Sequence, residues 1–318
     1  MYSSTLLTSL ALASSALAGY EVHWDYSGAS FFENFEFINK PDSSFTNGFA
    51  QYVNEDEATA MGLARIVDNK ARIGVDTNNT YDLGSTGRKS VRLQSWGYFD
   101  QGLLVADFAH VPVAGCGQWP AFWVYRGEEA EGYSEIDILE NVDKSTANTH
   151  SFYTSEQCTV NFDVGDPLKT DNCHYETQAE GVQGCSFMAE EGTFNQAFND
   201  NYKIIALQVE TDVMRIWHFG KDEVPADLTS GSPDPDTWKT PTVSLSPKSC
   251  DFQKAFSQFR IIINITFCGS WAGGASDWNA QCAAETGTDC NSWVANNPDD
   301  FKDTFFEFNS VKLYQRTA

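Results

Sequence analysis

Phe259-Arg260-Ile261-Ile262-Ile263-Asn264-Ile265-Thr266-Phe267 is a run of β-branched and aromatic residues with partial alternation, the pattern of a strand packed in a core. Tyr202 to Val209, Val213 to Phe219, Gly102 to Val113 and Thr304 to Tyr314 read the same way. Helix signals are few. Asn54 can cap a short helix over Glu55 to Ala64, and Asn297-Pro298-Asp299-Asp300 can open one turn before the last strand. Many short strands separated by Gly, Pro, Asn and Asp turns imply an all-β fold, either two packed antiparallel sheets or a barrel. In a sandwich this long the strands are wide enough to bend, leaving a concave face with a long groove. No internal repeat or low-complexity linker divides the chain, and the Pro-rich stretch Gly231 to Pro241 reads as a surface loop.

Charge narrows the partners. Among 318 residues, 44 acids oppose 20 bases, for a net charge of −24. That field repels phosphate backbones and anionic lipid, so no nucleic acid and no membrane is expected as a partner. A neutral ligand is indifferent to it. Met1 to Ala18 carries an apolar stretch, Leu6 to Leu12, and ends in Ala16-Leu17-Ala18. This is a signal-peptide pattern, although its first residues lack Lys and Arg. The expectation is a secreted, extracellular protein whose residues 19–318 form a single domain, with a monomer as the default state. Eight cysteines fit that compartment and allow four disulfides, with 173/185 and 282/290 spaced as local staples. No C-x-x-C occurs and the five His are scattered, so no metal site is expected. Asn78-Asn79-Thr80 is a glycosylation sequon in a turn-like context. Asn264-Ile265-Thr266 is another, inside an apolar strand.

The segment richest in chemistry is Tyr133-Ser134-Glu135-Ile136-Asp137-Ile138-Leu139-Glu140-Asn141-Val142. As a strand it puts Glu135 and Asp137 on one face and Ile136 and Ile138 on the other. Strict alternation would then bury Glu140, and an unpaired buried carboxylate is expensive. A one-residue β-bulge near Ile138-Leu139 resets the phase and returns Glu140 to the acidic face. Glu135 and Glu140 then stand ~13 Å apart at Cα. Side chains leaning together from a concave strand can bring the carboxyls to the ~5–5.5 Å that double displacement at a sugar requires. Asp137, between them, can help keep a proton on a neighbour. Acids alternating on a strand are otherwise a solvated face, and a calcium site is a further alternative. The upstream Cys116-Gly117-Gln118-Trp119-Pro120-Ala121-Phe122-Trp123 favours the sugar reading. Trp119, Ala121 and Trp123 share a face, and Trp rings are platforms for sugars, although some of these aromatics must fill the core.

Glu-x-Asp-x-x-Glu after a Trp-Pro-Ala-Phe-Trp strand resembles glycoside hydrolase family 16, specifically the fungal laminarinase-like endo-β-1,3(4)-glucanases. Gly87-Arg88-Lys89-Ser90-Val91-Arg92, Thr146-Ala147-Asn148, Cys268-Gly269-Ser270-Trp271-Ala272-Gly273 and Asn309-Ser310-Val311-Lys312-Leu313-Tyr314-Gln315 resemble that family's motifs in order. The resemblance implies a β-jelly roll with a cleft across its concave sheet. It implies retention of configuration, with Glu135 as nucleophile, Asp137 as helper and Glu140 as acid/base. It also implies that Arg88, Trp119 or Trp123, and Trp271 line glucan subsites. The chain departs from the family twice. Tyr153 precedes Thr154 where the family often has His, which alters the surroundings of Glu140. Gly127-Glu128-Glu129-Ala130-Glu131-Gly132-Tyr133 lacks the usual Trp-Pro pair, leaving Tyr133 as the aromatic platform there.

The leading expectation is a secreted endo-glucanase cleaving β-1,3 bonds, and β-1,4 bonds in mixed glucans, with β-glucan as its partner and no cofactor. The alternatives are a non-catalytic glucan-binding lectin on the same sandwich and a transglycosylase using the same nucleophile.

Overall fold

The strand patterns fold as two sheets rather than a barrel. The computed structural model describes residues 19–127, 130–175 and 184–317. The expected signal peptide, Met1 to Ala18, and Glu128 and Glu129 of the stretch before the acid row lie outside that range. The concave sheet has seven strands, ordered Cys185–Glu191, Ala147–Thr154, Ser134–Glu140, Gln118–Arg126, Phe259–Phe267, Arg92–Ser95, Phe35–Phe37. Every pairing within it is antiparallel. The opposing sheet has nine strands, with Gly102–His110 and the long C-terminal strand Phe305–Arg316 near its centre.

Alternation decides what lies between the sheets. Ile261, Ile263 and Ile265 of the central strand Phe259–Phe267 are fully buried in the common core. Phe122, from the neighbouring strand, meets Phe108 and Phe308 of the opposite sheet, each with ring centroids 5.7 Å apart. Each such side chain contributes about 1.5–3 kcal/mol by leaving water. A smaller cluster, built on Trp217 and Phe219, covers the outer face of the nine-stranded sheet. Trp238, from the stretch read as a surface loop, packs edge-on against both rings.

The short helix after Asn54 forms over Glu55–Ala60, with the Asn54 side chain accepting from the Glu57 N–H. Pro298–Phe301 makes a single 3-10 turn before the last strand. The sequence reading missed Ala275–Gln281, Ala283–Thr286 and Cys290–Asn296. These helices are too short to display a period. Two disulfides hold this segment to the concave sheet. They are Cys116–Cys282 and Cys268–Cys290, so 282 and 290 do not pair with each other as their spacing suggested. Cys173–Cys185 is the expected local staple, and Cys158–Cys250 closes the fourth bridge.

Candidate active site

The acidic row depends on one irregularity, and the register shows it. Asp137 pairs with Trp123, but Leu139 pairs with Phe122, so Ile138 is the extra residue of a β-bulge. Ile136, Ile138 and Leu139 are all buried, while Glu135, Asp137 and Glu140 line one cleft. A bulge orphans backbone groups that a regular ladder would pair. Asn148, on the adjacent strand, satisfies two of them. Its Oδ1 accepts the Glu140 N–H at 2.8 Å, and its Nδ2 donates to the Ile138 carbonyl at 2.9 Å. The side chain thus fixes the phase slip that aims Glu140.

The cleft is about 730 Å³, the size of a small-ligand site. Trp119, Trp123, Tyr133, Tyr153 and Trp271 all line it. Trp119 meets Trp271 edge-on at 5.5 Å and donates its indole N–H to Glu140 Oε1 at 2.7 Å. Trp123 donates to Asn264 Oδ1 at 2.7 Å. Asn264 is consequently buried in the cleft floor, out of reach of glycosylation, whereas Asn78 is exposed. Tyr153 pairs with Glu135 across the ladder, and Tyr133 donates its phenol O–H to Glu135 Oε2.

Arg88 is a correction. It is wholly buried away from the cleft, donating to the backbone carbonyls of Asp76, Asn79 and Val294 between the rings of Tyr81 and Phe301. The physical reason is a change of sheet. Arg88–Ser90 pairs with Ala50–Tyr52 in a separate parallel ribbon. Gly87 permits the close approach, since a Cβ there would lie 2.2 Å from the Phe49 backbone. The chain enters the concave sheet only at Arg92, which the sequence reading quoted within a motif but did not place in the site. Arg92 is 5% exposed, with its guanidinium 4.2 Å from the Phe45 ring centroid and 5.0 Å from that of Trp123. Its buried Nε has no hydrogen-bond partner among the described residues. A buried cationic donor left unpaired at a cleft wall is suited to a ligand oxygen. The available signal was its register opposite the strand Phe259–Phe267, which only the fold supplies.

Burial dominates the electrostatics of the row. It pushes Glu135 up to about 7, against the Tyr133 hydrogen bond and the charge of Arg92. It pushes Glu140 up to about 8, against the Trp119 hydrogen bond and helped by the charge of Glu135. Asp137 lies well above the carboxylate range because of burial and its two acidic neighbours. Three such groups cannot all ionise together, so the row retains a proton near neutrality. Among the described residues no cluster of three or more His, Cys, Asp or Glu has the arrangement of a metal site.

Carboxylates that share a proton along an aromatic cleft, on the concave face of a jelly-roll sandwich, define a site of the glycosidase type. A profile described as the XgeA-like, catalytic GH16 domain matches residues 35–314. The endo-1,3(4)-β-glucanase xgeA of Emericella nidulans is 34% identical over 94% of this chain and 48% of its own length. A probable glycosidase of Schizosaccharomyces pombe is 35% identical over 93% of this chain and 69% of its own. Among solved structures, an elongating GH family 16 β-1,3-glucosyltransferase superposes with a TM-score of 0.83 at 33% identity, covering 93% of this chain and all of that one. Laminarinase 16A from Phanerochaete chrysosporium, described with β-glucans in both donor and acceptor sites, gives 0.83 at 30% identity over 94% of this chain and all of that one. The chain belongs to glycoside hydrolase family 16, among its XgeA-like catalytic domains. It spans about half the length of the Emericella nidulans relative.

Proposed function

We propose that this protein is a secreted, retaining endo-β-glucanase acting on β-1,3 linkages and on mixed β-1,3/1,4 glucans. One observation carries the reading. The bulge at Ile138 leaves Glu135, Asp137 and Glu140 on a single face of an aromatic cleft. In the first step Glu135 attacks the anomeric carbon while Glu140 gives its proton to the departing oxygen. In the second step water attacks the same carbon and returns a proton to Glu140. Asp137, lodged between two carboxylates, keeps the shared proton on the row. Trp119, Trp123, Trp271, Tyr153 and Arg92 hold the glucan, by ring stacking and by hydrogen bonds to hydroxyls. The relatives named as endo-1,3(4)-β-glucanases and the glucan-bound laminarinase support the substrate class. Secretion accords with the apolar leader Met1 to Ala18 and with four disulfides, which persist in oxidising compartments. Residues 19–318 act as one catalytic unit, as a monomer.

The test is hydrolysis of laminarin and lichenan by Glu135→Gln and Glu140→Gln, with NMR of the first-formed anomer from the wild type. Both variants are expected to lose turnover by about 10²–10⁴-fold or more while still binding glucan. Full activity in either, or an inverted product, overturns the mechanism. Glucan transfer is the second reading, favoured by the likeness to the elongating glucosyltransferase. It shares the covalent intermediate and differs in the acceptor. Products longer than a supplied laminari-oligosaccharide mark transfer, and shorter ones alone mark hydrolysis.

A further inference from the structure

Tyr133 stands where the sequence suggested an aromatic platform for sugar, yet its hydroxyl is turned onto a carboxylate. The phenol O–H donates to Glu135 Oε2. The backbone beneath it is pinned twice: the Tyr133 N–H donates to Ser155 Oγ at 2.9 Å, and the Tyr133 carbonyl accepts the Ser155 N–H at 2.8 Å. Its ring packs against Tyr175 at 5.1 Å between centroids. The hydroxyl is therefore held by backbone, ring and carboxylate at once. Burial, and then the charge of Glu135, raise the phenol's own pKa, so it stays a donor across the working range. Asp137 and Glu140 face Glu135 from its own strand, Tyr153 and Tyr125 stand opposite it on the two flanking strands, and Arg92 is the cation whose charge reaches it.

We propose that Tyr133 is a positioning residue: its hydroxyl orients Glu135 for attack and stabilises that carboxylate as it departs from the glycosyl-enzyme. The proposal rests on Glu135 being the nucleophile. In the first step one Glu135 oxygen bonds the anomeric carbon, the glycosidic C–O bond breaks, and the Glu140 proton goes to the leaving oxygen. Oε2 becomes the ester carbonyl, still facing the phenol. In the second step the water oxygen bonds the anomeric carbon, its proton goes to Glu140, and the ester C–O pair returns to Glu135. Negative charge then reappears on Oε2 beside the donor. A hydrogen bond to a carboxylate is about twice as strong as one to a neutral carbonyl. The hydroxyl thus favours the second step and tempers the basicity of Glu135 before the first.

Tyr133→Phe keeps the ring and removes only this bond. With a nitrophenyl β-laminaribioside, its steady-state turnover is expected to fall about 10- to 100-fold, the worth of a charge-assisted hydrogen bond. A pre-steady-state burst of nitrophenol should accompany it as the glycosyl-enzyme accumulates, visible by intact-protein mass spectrometry. The acid limb of kcat/KM should move to higher pH, because the bond lowers the pKa of Glu135. Fluorotyrosine at 133, a stronger donor of the same shape, should move that limb the other way. A variant with neither a burst nor a moved limb, whatever its total activity, overturns the proposal, as does a fluorotyrosine shift in the same direction as Phe. If Glu135→Gln itself hydrolyses glucan normally, the underlying reading fails instead. A dead Glu135→Gln beside an unaffected Tyr133→Phe removes only the role of the tyrosine.

Discussion

Two buried carboxylate settings face opposite ways in this sandwich. Glu307 lies on the nine-stranded sheet, 5% exposed, held by Lys70 Nζ at 2.7 Å and by Arg72 Nη2 at 2.7 Å and Nε at 2.9 Å. Burial alone would raise its pKa, but the two cations together outweigh burial and hold it below the ordinary carboxylate range. Glu135 and Glu140 receive their hydrogen bonds from a phenol and an indole, with Arg92 acting on Glu135 by charge alone. For them burial wins and the pKa rises. Both settings are strands, though Glu307 lies nearer the surface and is the less desolvated. The charge of the donors separates an anchor from a proton carrier.

The sharpest way to break that comparison is to neutralise one carboxylate in each setting. Glu140→Gln should cost turnover by about 10²–10⁴-fold on laminarin. Glu307→Gln should leave turnover unchanged and cost about 1 kcal/mol of stability at neutral pH, read by urea unfolding. The pH dependences have opposite sign. Glu307, with a lowered pKa, stabilises the fold above the ordinary carboxylate value, and that contribution is lost as pH falls through its folded value. Glu140, with a raised pKa, contributes fully below the ordinary value and loses its contribution as pH rises towards about 8. Glu140→Gln should therefore match wild-type stability in acid and exceed it in mild alkali. Equal pH–stability curves for the two variants would falsify the distinction.

Asn148→Ala comes next in size. It orphans the Glu140 N–H and the Ile138 carbonyl, which should cost about 1–3 kcal/mol in unfolding experiments. It also frees the bulge, and a misplacement near 1 Å at a reacting group costs about 10²-fold in turnover. Stability lost with turnover intact would show that the bulge holds without the clamp. The smallest expected change is in Trp119→Phe. Losing the indole donor should raise Glu140 further, moving the alkaline limb of the pH profile to higher pH, with at most about a tenfold loss in turnover. An unmoved limb would separate Trp119 from the proton on Glu140.

Sequence reading went far at the acid strand because its constraint is local. Alternation fixes which side chains share a face, and an unpaired buried Glu140 is costly enough to demand a phase slip. The resemblance placed Arg88 in the cleft, but the structure buries it elsewhere and brings Arg92, four residues on in the same extended stretch, to the cleft wall instead. Alternation carries across only while a strand stays in one sheet, and this stretch leaves a parallel ribbon to join the concave sheet between them. The tyrosine at 133 was legible as an aromatic near the acids, but the direction of its hydroxyl depends on the Ser155 contacts from the next strand. Cys282 and Cys290 looked like partners by spacing, yet Cys282 bridges 166 residues back to Cys116 and Cys290 22 residues back to Cys268.

By itself, then, the order of residues determined the all-β class, the phase of the acid row and the aromatic character of its surroundings, all set by near neighbours and the cost of burying charge. Which cation reaches the cleft, which donors rest on which carboxylates and which cysteines meet were decided by the tertiary structure. Apart from the Tyr133–Glu135 bond, whose partners are near neighbours, those contacts join segments tens to hundreds of residues apart, and only the tertiary fold brings them together.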